Sequence, residues 1–313
     1  MEADGKFFVG MSNKSGNIYP PNQLTIFGDE DDISKPVIIT LPEWGDIQTM
    51  VYDDMNDKVY IELSNNSALK LYVVNPHTYA IATILSTTTV DAGRKPAITT
   101  DGEYIYGITD TAPSTVYKVK ISDGSLTVNT QGHVFYGHSA AIAKYGSAQG
   151  TTTELYFGGG MGNGFEKTNA LTLAPISAIQ VAPCAMSDDM PFVRTSGSGG
   201  YVYIGCEIVP YGLRIRTSDM RVERFSLPGA SFGFFAFGTD IYNAAQDGHI
   251  DVFLNGDLRF LSRYKVTDEK SPFDTKGQDL EVNELLREPS TGKIYFTAWL
   301  GIPGLHEVAT STP

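Results

Sequence analysis

The chain has 313 residues, 42% of them hydrophobic and 19% charged, enough apolar content for a large core and too much for global disorder. Its formal charge is −13, from 23 basic and 36 acidic residues with no Lys/Arg cluster, which argues against nucleic acid and anionic membrane as partners. No stretch reaches the roughly 18 uninterrupted apolar residues of a membrane span, so no membrane insertion is expected.

The opening MEADGKFF lacks the charged and apolar regions of a signal peptide. Either the chain is cytosolic, or a leader was removed and Met1 added. Three apolar runs follow: Phe7-Phe8-Val9, Leu24 to Phe27 and Val37 to Leu41. The acidic run Asp29 to Asp32 reads as a solvated turn. Four short runs then come in order, here called A to D: Thr49 to Tyr52, Lys58 to Glu62, Leu69 to Val74 and Ala80 to Leu85. Turns Asp54 to Asp57 and Asn75 to Thr78 separate A from B and C from D. In the next unit, Val116, Lys118 and Lys120 alternate with Tyr117, Val119 and Ile121, as a half-buried strand requires. Run B recurs as Leu155-Tyr156-Phe157, Val202-Tyr203-Ile204, Ile241-Tyr242 and Ile294-Tyr295-Phe296. Leu280 to Arg287 is the best helix candidate, yet it fits run A of the last unit in register.

The aromatic of run B marks a repeat at positions 8, 60, 106, 156, 203, 242 and 295, a mean period of about 48. Late turns such as Ser122-Asp123-Gly124 and Asn255-Gly256-Asp257 carry the Asp-Gly and Asn-Gly pairs of type I′ hairpins. Four antiparallel strands repeated at this period predict an all-β, seven-bladed β-propeller, residues 1–313 forming a single domain. Residues 6–42 supply B, C and D, and residues 280–313 supply A, B and C, so three-stranded terminal blades are expected. The alternative is a six-bladed ring, with Val37 to Leu41 as the outer strand of the last blade and residues 6–27 as an added hairpin.

Lys58-Val-Tyr-Ile through Asn75-Pro76 to Ile84 resembles a YVTN-type repeat, as does Ile98 to Tyr106 through Val119 to Gly124. That group lies within the WD40-like and quinoprotein-like propellers. The resemblance implies the fold and leaves function open, because such propellers include surface proteins, enzymes and interaction platforms. The Gly-His and Trp-Asp marks of true WD40 repeats are absent in register. Tryptophan occurs only at 44 and 299, which argues against a quinoprotein enzyme, and no cofactor is expected.

In a propeller the D–A and B–C loops share one face, and here they are the long ones. They bring together Trp44, Asp46, Arg94, Lys95, Tyr136, His138, Asp188, Asp189, Phe232 and Trp299 as candidate ligand-binding residues. Aromatic faces beside carboxylates suit sugar rings, and Arg94 with Lys95 suits an anionic group. The tract Gly158 to Gly164 lacks the Walker pattern, and two cysteines are too few for a CxxC metal site. Cys184 and Cys206 fall on that same face, as a disulfide or as two free thiols. No catalytic constellation stands out. The first reading is therefore a non-enzymatic binding or adhesion propeller, extracellular or surface-associated, that takes a glycan or protein ligand. A carbohydrate-active enzyme is the alternative, either a hydrolase or a lyase using Tyr136 or His138 with Arg94. An intracellular protein-interaction scaffold is the third.

Overall fold

The computed structural model describes residues 2–3, 6–10, 22–28, 36–64, 68–93, 96–147, 150–160, 164–187, 189–195, 199–266, 281–287, 292–299 and 306–308. The first blade is β1 (Glu2–Ala3), β2 (Lys6–Gly10), β3 (Gln23–Phe27) and β4 (Val37–Thr40). The second is β5 (Asp46–Asp53), β6 (Lys58–Ser64), β7 (Leu69–Val74) and β8 (Ile81–Thr87), and the third β9 (Ala97–Thr100), β10 (Tyr104–Ile108), β11 (Val116–Lys120) and β12 (Leu126–Asn129). The fourth is β13 (Gly137–Ser147), β14 (Gly150–Gly159), β15 (Gly164–Asn169) and β16 (Pro175–Gln180). The fifth is β17 (Phe192–Arg194), β18 (Gly200–Gly205), β19 (Tyr211–Arg216) and β20 (Val222–Ser226). The sixth is β21 (Ser231–Phe237), β22 (Asp240–Ala245), β23 (His249–Leu254) and β24 (Phe260–Lys265). A three-stranded sheet of β25 (Glu281–Arg287), β26 (Ile294–Trp299) and β27 (His306–Glu307) ends the chain, so the helix candidate is a strand.

The seven-bladed expectation is thereby corrected: among the described residues the four-stranded blades number six. Counting marker aromatics counts B strands, and the last marker, Tyr295, heads the three-stranded sheet. The N-terminal end is corrected too. Glu2 and Ala3 pair with Phe7 and Lys6, so the first blade has the inner strand that the sequence did not show. The β2–β3 pair belongs to that blade and is not an added hairpin.

Hydrophobic clusters lie between successive sheets. Phe8, Leu24 and Ile26 meet Val59, Ile61 and Tyr72 between the first two blades; Tyr60, Leu69 and Leu71 meet Ile105 and Tyr117 at the next joint. Phe7 meets Tyr295 with ring centroids 4.8 Å apart, which joins the terminal sheet to the first blade. The marker aromatics are wedges in these joints, and Phe8, Tyr60, Tyr156 and Tyr203 are fully buried. Opposite three of them in register stand cations, Lys118 against Tyr106, Lys167 against Tyr156 and Arg214 against Tyr203. Each reaches carbonyls in the C–D turn of the following blade. Lys118 donates to Leu171 O at 2.6 Å, Lys167 to Thr217 O at 3.3 Å and Arg214 to Gly256 O at 2.9 Å. Lys6 reaches Pro76 O in the same way at 3.1 Å.

The C–D turns differ from the type I′ expectation. The amide of Leu173 donates to Asn169 O, that of Met220 to Arg216 O and that of Leu258 to Leu254 O. These are five-residue loops in which the last residue alone is left-handed, with φ of 58°, 60° and 57°. An apolar side chain there costs backbone energy, but Leu173 and Met220 are buried, and their burial offsets the strain.

Candidate functional site

The D–A and B–C loops lock together in pairs across neighbouring blades. Tyr136 N donates to Thr111 O at 2.8 Å, and Gly160 N donates to Tyr136 O at 2.6 Å. These bonds hold Tyr136 at φ 54°, and among the described residues it is the left-handed non-glycine on this face. Its ring and that of Phe135 are exposed as a result. Beneath them His133 Nδ1 meets Glu166 Oε1 at 2.8 Å, with both side chains fully buried. Glu166 also accepts Val134 N and Thr168 Oγ1, at 2.8 and 2.7 Å. This buried anchor of the loop was not foreseen. Its sequence signal is an acid, Glu166, in a strand whose neighbours Phe165 and Thr168 are buried.

A second device recurs where the inner strands begin. The register skips one residue at Gln48 in β5, His138 in β13, Phe232 in β21 and Asn283 in β25. Each skipped residue lies three positions before the one paired with that blade's marker tyrosine, so the four bulges occupy equivalent places. A bulge turns its residue out of the pleat. Two predicted site residues, His138 and Phe232, therefore occupy equivalent positions on their inner strands, shared by Gln48 and, in the backbone register, by Asn283.

Trp44 stands 61% exposed in the loop before β5, and Asp46 opens that strand, half-buried. Asp189 bridges to Gly233 of the next inner strand, and its carbonyl accepts Phe234 N at 3.2 Å. Arg94, Lys95 and Asp188 lie outside the described residues, as does the side chain of Trp299, whose backbone pairs with Glu281 at the end of β26. Ile208, 64% exposed on a B–C loop, was not singled out in the sequence.

His138 Nε2 lies 3.0 Å from Asp110 Oδ1, with both side chains only 10% exposed, and its Nδ1 is covered. Both imidazole nitrogens thus face the protein and not the mouth, a poor arrangement for a general acid or base. Cys184 and Cys206 are joined, their Cα atoms 5.0 Å apart and both residues buried. The bond ties the loop before β17 to the residue after β18. Ser187 N to Gly205 O and Glu207 N to Ala185 O reinforce it, at 3.1 and 2.8 Å. Among the described residues no group of three or more His, Cys, Asp or Glu side chains is placed to hold a metal.

No family model matches the sequence, and no curated protein matches it. The fold is that of WD40-like propellers. The chain is similar to the structure of U3-55K (10% identity, TM-score 0.63) and to the WD40 repeats of RRP9 (10%, 0.64), covering 83% of this chain and 76% of each of those. It is also similar to Sqt1 of Saccharomyces cerevisiae, at 13% identity and a TM-score of 0.64, over 92% of this chain and 79% of that one.

Proposed function

We propose that this propeller is a non-enzymatic protein-interaction module working through its D–A/B–C face. One observation carries the reading: Trp44, Phe135, Tyr136 and Ile208 expose large apolar surface on loops that are hydrogen-bonded or disulfide-tied into the ring. Such residues, presented without freedom to collapse, are the usual anchors of an interface. The covered nitrogens of His138 weigh against the lyase reading. The buried disulfide supports work in an oxidising compartment, extracellular or surface-associated.

The test is affinity capture with cross-linking from the native milieu. Three proteins are compared: wild type, Trp44→Ala/Phe135→Ala/Tyr136→Ala, and an opposite-face control, Met55→Ala/Leu171→Ser. Loss of the captured, cross-linked partner only in the first variant, with an unchanged melting curve, is expected. Equal loss in both variants, or none, refutes it. A glycan-array signal lost in the first variant alone would transfer the face to a sugar ligand.

A further inference from the structure

Among the described residues, Glu62 is the carboxyl group that is completely buried with neither oxygen in a completed hydrogen bond. It follows the marker Tyr60 by two positions on β6. At the matching place other blades carry Gly158, Gly205 and Ala244. Tyr60, Glu62 and Ser64 share the face of β6 that looks onto the third blade. There Tyr60 packs with Leu69, Val90, Ala92, Ile105 and Tyr117. The Tyr117 ring lies against Gly107, where a Cβ would come within 2.2 Å of it, and its hydroxyl is the group acting on the Glu62 carboxyl. At the upper end of the same face, Ser64 Oγ donates to Gly93 O at 3.2 Å. Residues 88–93, with Val90 and Ala92 buried in this joint and Gly93 bonded to Ser64, thus adjoin the end of the face that carries Glu62.

The other ionisable groups on the packed elements are engaged elsewhere. Lys70 of β7 meets Glu43, and Tyr72 packs toward the first blade. Tyr106 of β10 donates to Asp101, and Lys118 of β11 meets the Tyr104 ring and the Leu171 carbonyl. Asp53 of β5 holds Asn56, Asp46 opens the far end of that strand, and Asp91 caps Gly93 N from an exposed position. Burial is therefore the main influence on Glu62 and pushes its carboxyl up to about 8.

We propose that Glu62 is a proton-operated latch beside the 88–93 loop. As a neutral acid it carries no charge into the apolar joint beside the Tyr117 hydroxyl, and the second and third blades stay closed with the loop seated. When it loses its proton to water, the carboxylate is left in an apolar joint without a cation, and the joint and loop loosen. The folded-state value lies above the ordinary one, so the latch holds fully only below the ordinary carboxylate range, weakens steadily as pH rises above it, and is spent once pH has passed about 8.

Hydrogen exchange over residues 88–93, corrected for intrinsic pH effects, tests this in wild type and Glu62→Gln. Wild type should lose about tenfold or more of its protection between pH 7 and 9, and the variant should lose none. The same pH trend in both overturns the proposal. Wild-type protein labelled with 13C at glutamate side chains gives a test independent of any variant. One carboxyl resonance should titrate near pH 8; titration of every glutamate below pH 7 overturns it.

Discussion

Gly107 is a position where the fit between blades leaves no room for a methyl group. A Cβ there would overlap the Tyr117 ring, which belongs to the neighbouring strand and reaches the blade joint. Gly107→Ala should therefore cost about 1–3 kcal/mol by overpacking, read as a lower urea midpoint at unchanged slope. Lys118 makes a different kind of contact. Its buried stem carries an ammonium to carbonyls 52 and 53 residues further along the chain. Lys118→Met keeps the stem and removes the bonds. It should cost about 1.5–3 kcal/mol, the range for bonds to charged groups, while Lys120→Met should be near neutral. The aromatic markers were legible because they recur at fixed spacing. The cations opposite them were not, because their partners lie in the next repeat and a linear reading does not show cross-strand register.

At the level of elements, the four-strand unit could be read from alternating runs and turn residues, and the structure keeps it. What escaped were features smaller than a run. Strand β1 has two residues and leaves no periodicity. The inner-strand bulges shift register by a single residue, which no hydrophobic pattern reveals when both faces of the strand are half-buried. Hence His138 and Phe232 were singled out by residue type, whereas Gln48, placed by the same bulge, was passed over. The loop before β17 has little regular structure, and its shape depends on the bond between Cys184 and Cys206, 22 residues apart. Replacing both by serine should cost about 3 kcal/mol on the loop-entropy estimate. Wild type in reductant under denaturing conditions should drop to the same midpoint. A double variant as stable as oxidised wild type would show that the backbone bonds of the loop suffice.

For the whole molecule the decisive joint is the one between the chain's two ends. The marker count overstated the blades by one because each B strand looks alike, whether its sheet holds four strands or three. Ring closure depends on contacts such as Phe7 with Tyr295, 288 positions apart, for which sequence offers no local signal. Closure has a thermodynamic consequence. In an open array, loss of an end contact frays only that end, and the remaining joints melt as before. In a closed ring every joint holds its neighbours in place, so weakening the terminal joint should move the whole transition. Phe7→Ala should then lower stability by about 3–5 kcal/mol, as large aromatic deletions from a core do. The single transition should persist and shift as much as in Phe234→Ala, at the joint between the fifth and sixth blades. Differential scanning calorimetry separates the cases. If Phe7→Ala produces an early minor transition and leaves the main one in place, the ring is not held by this contact. If both variants shift one transition together, the first and last sheets are structural neighbours in the same sense as any other pair.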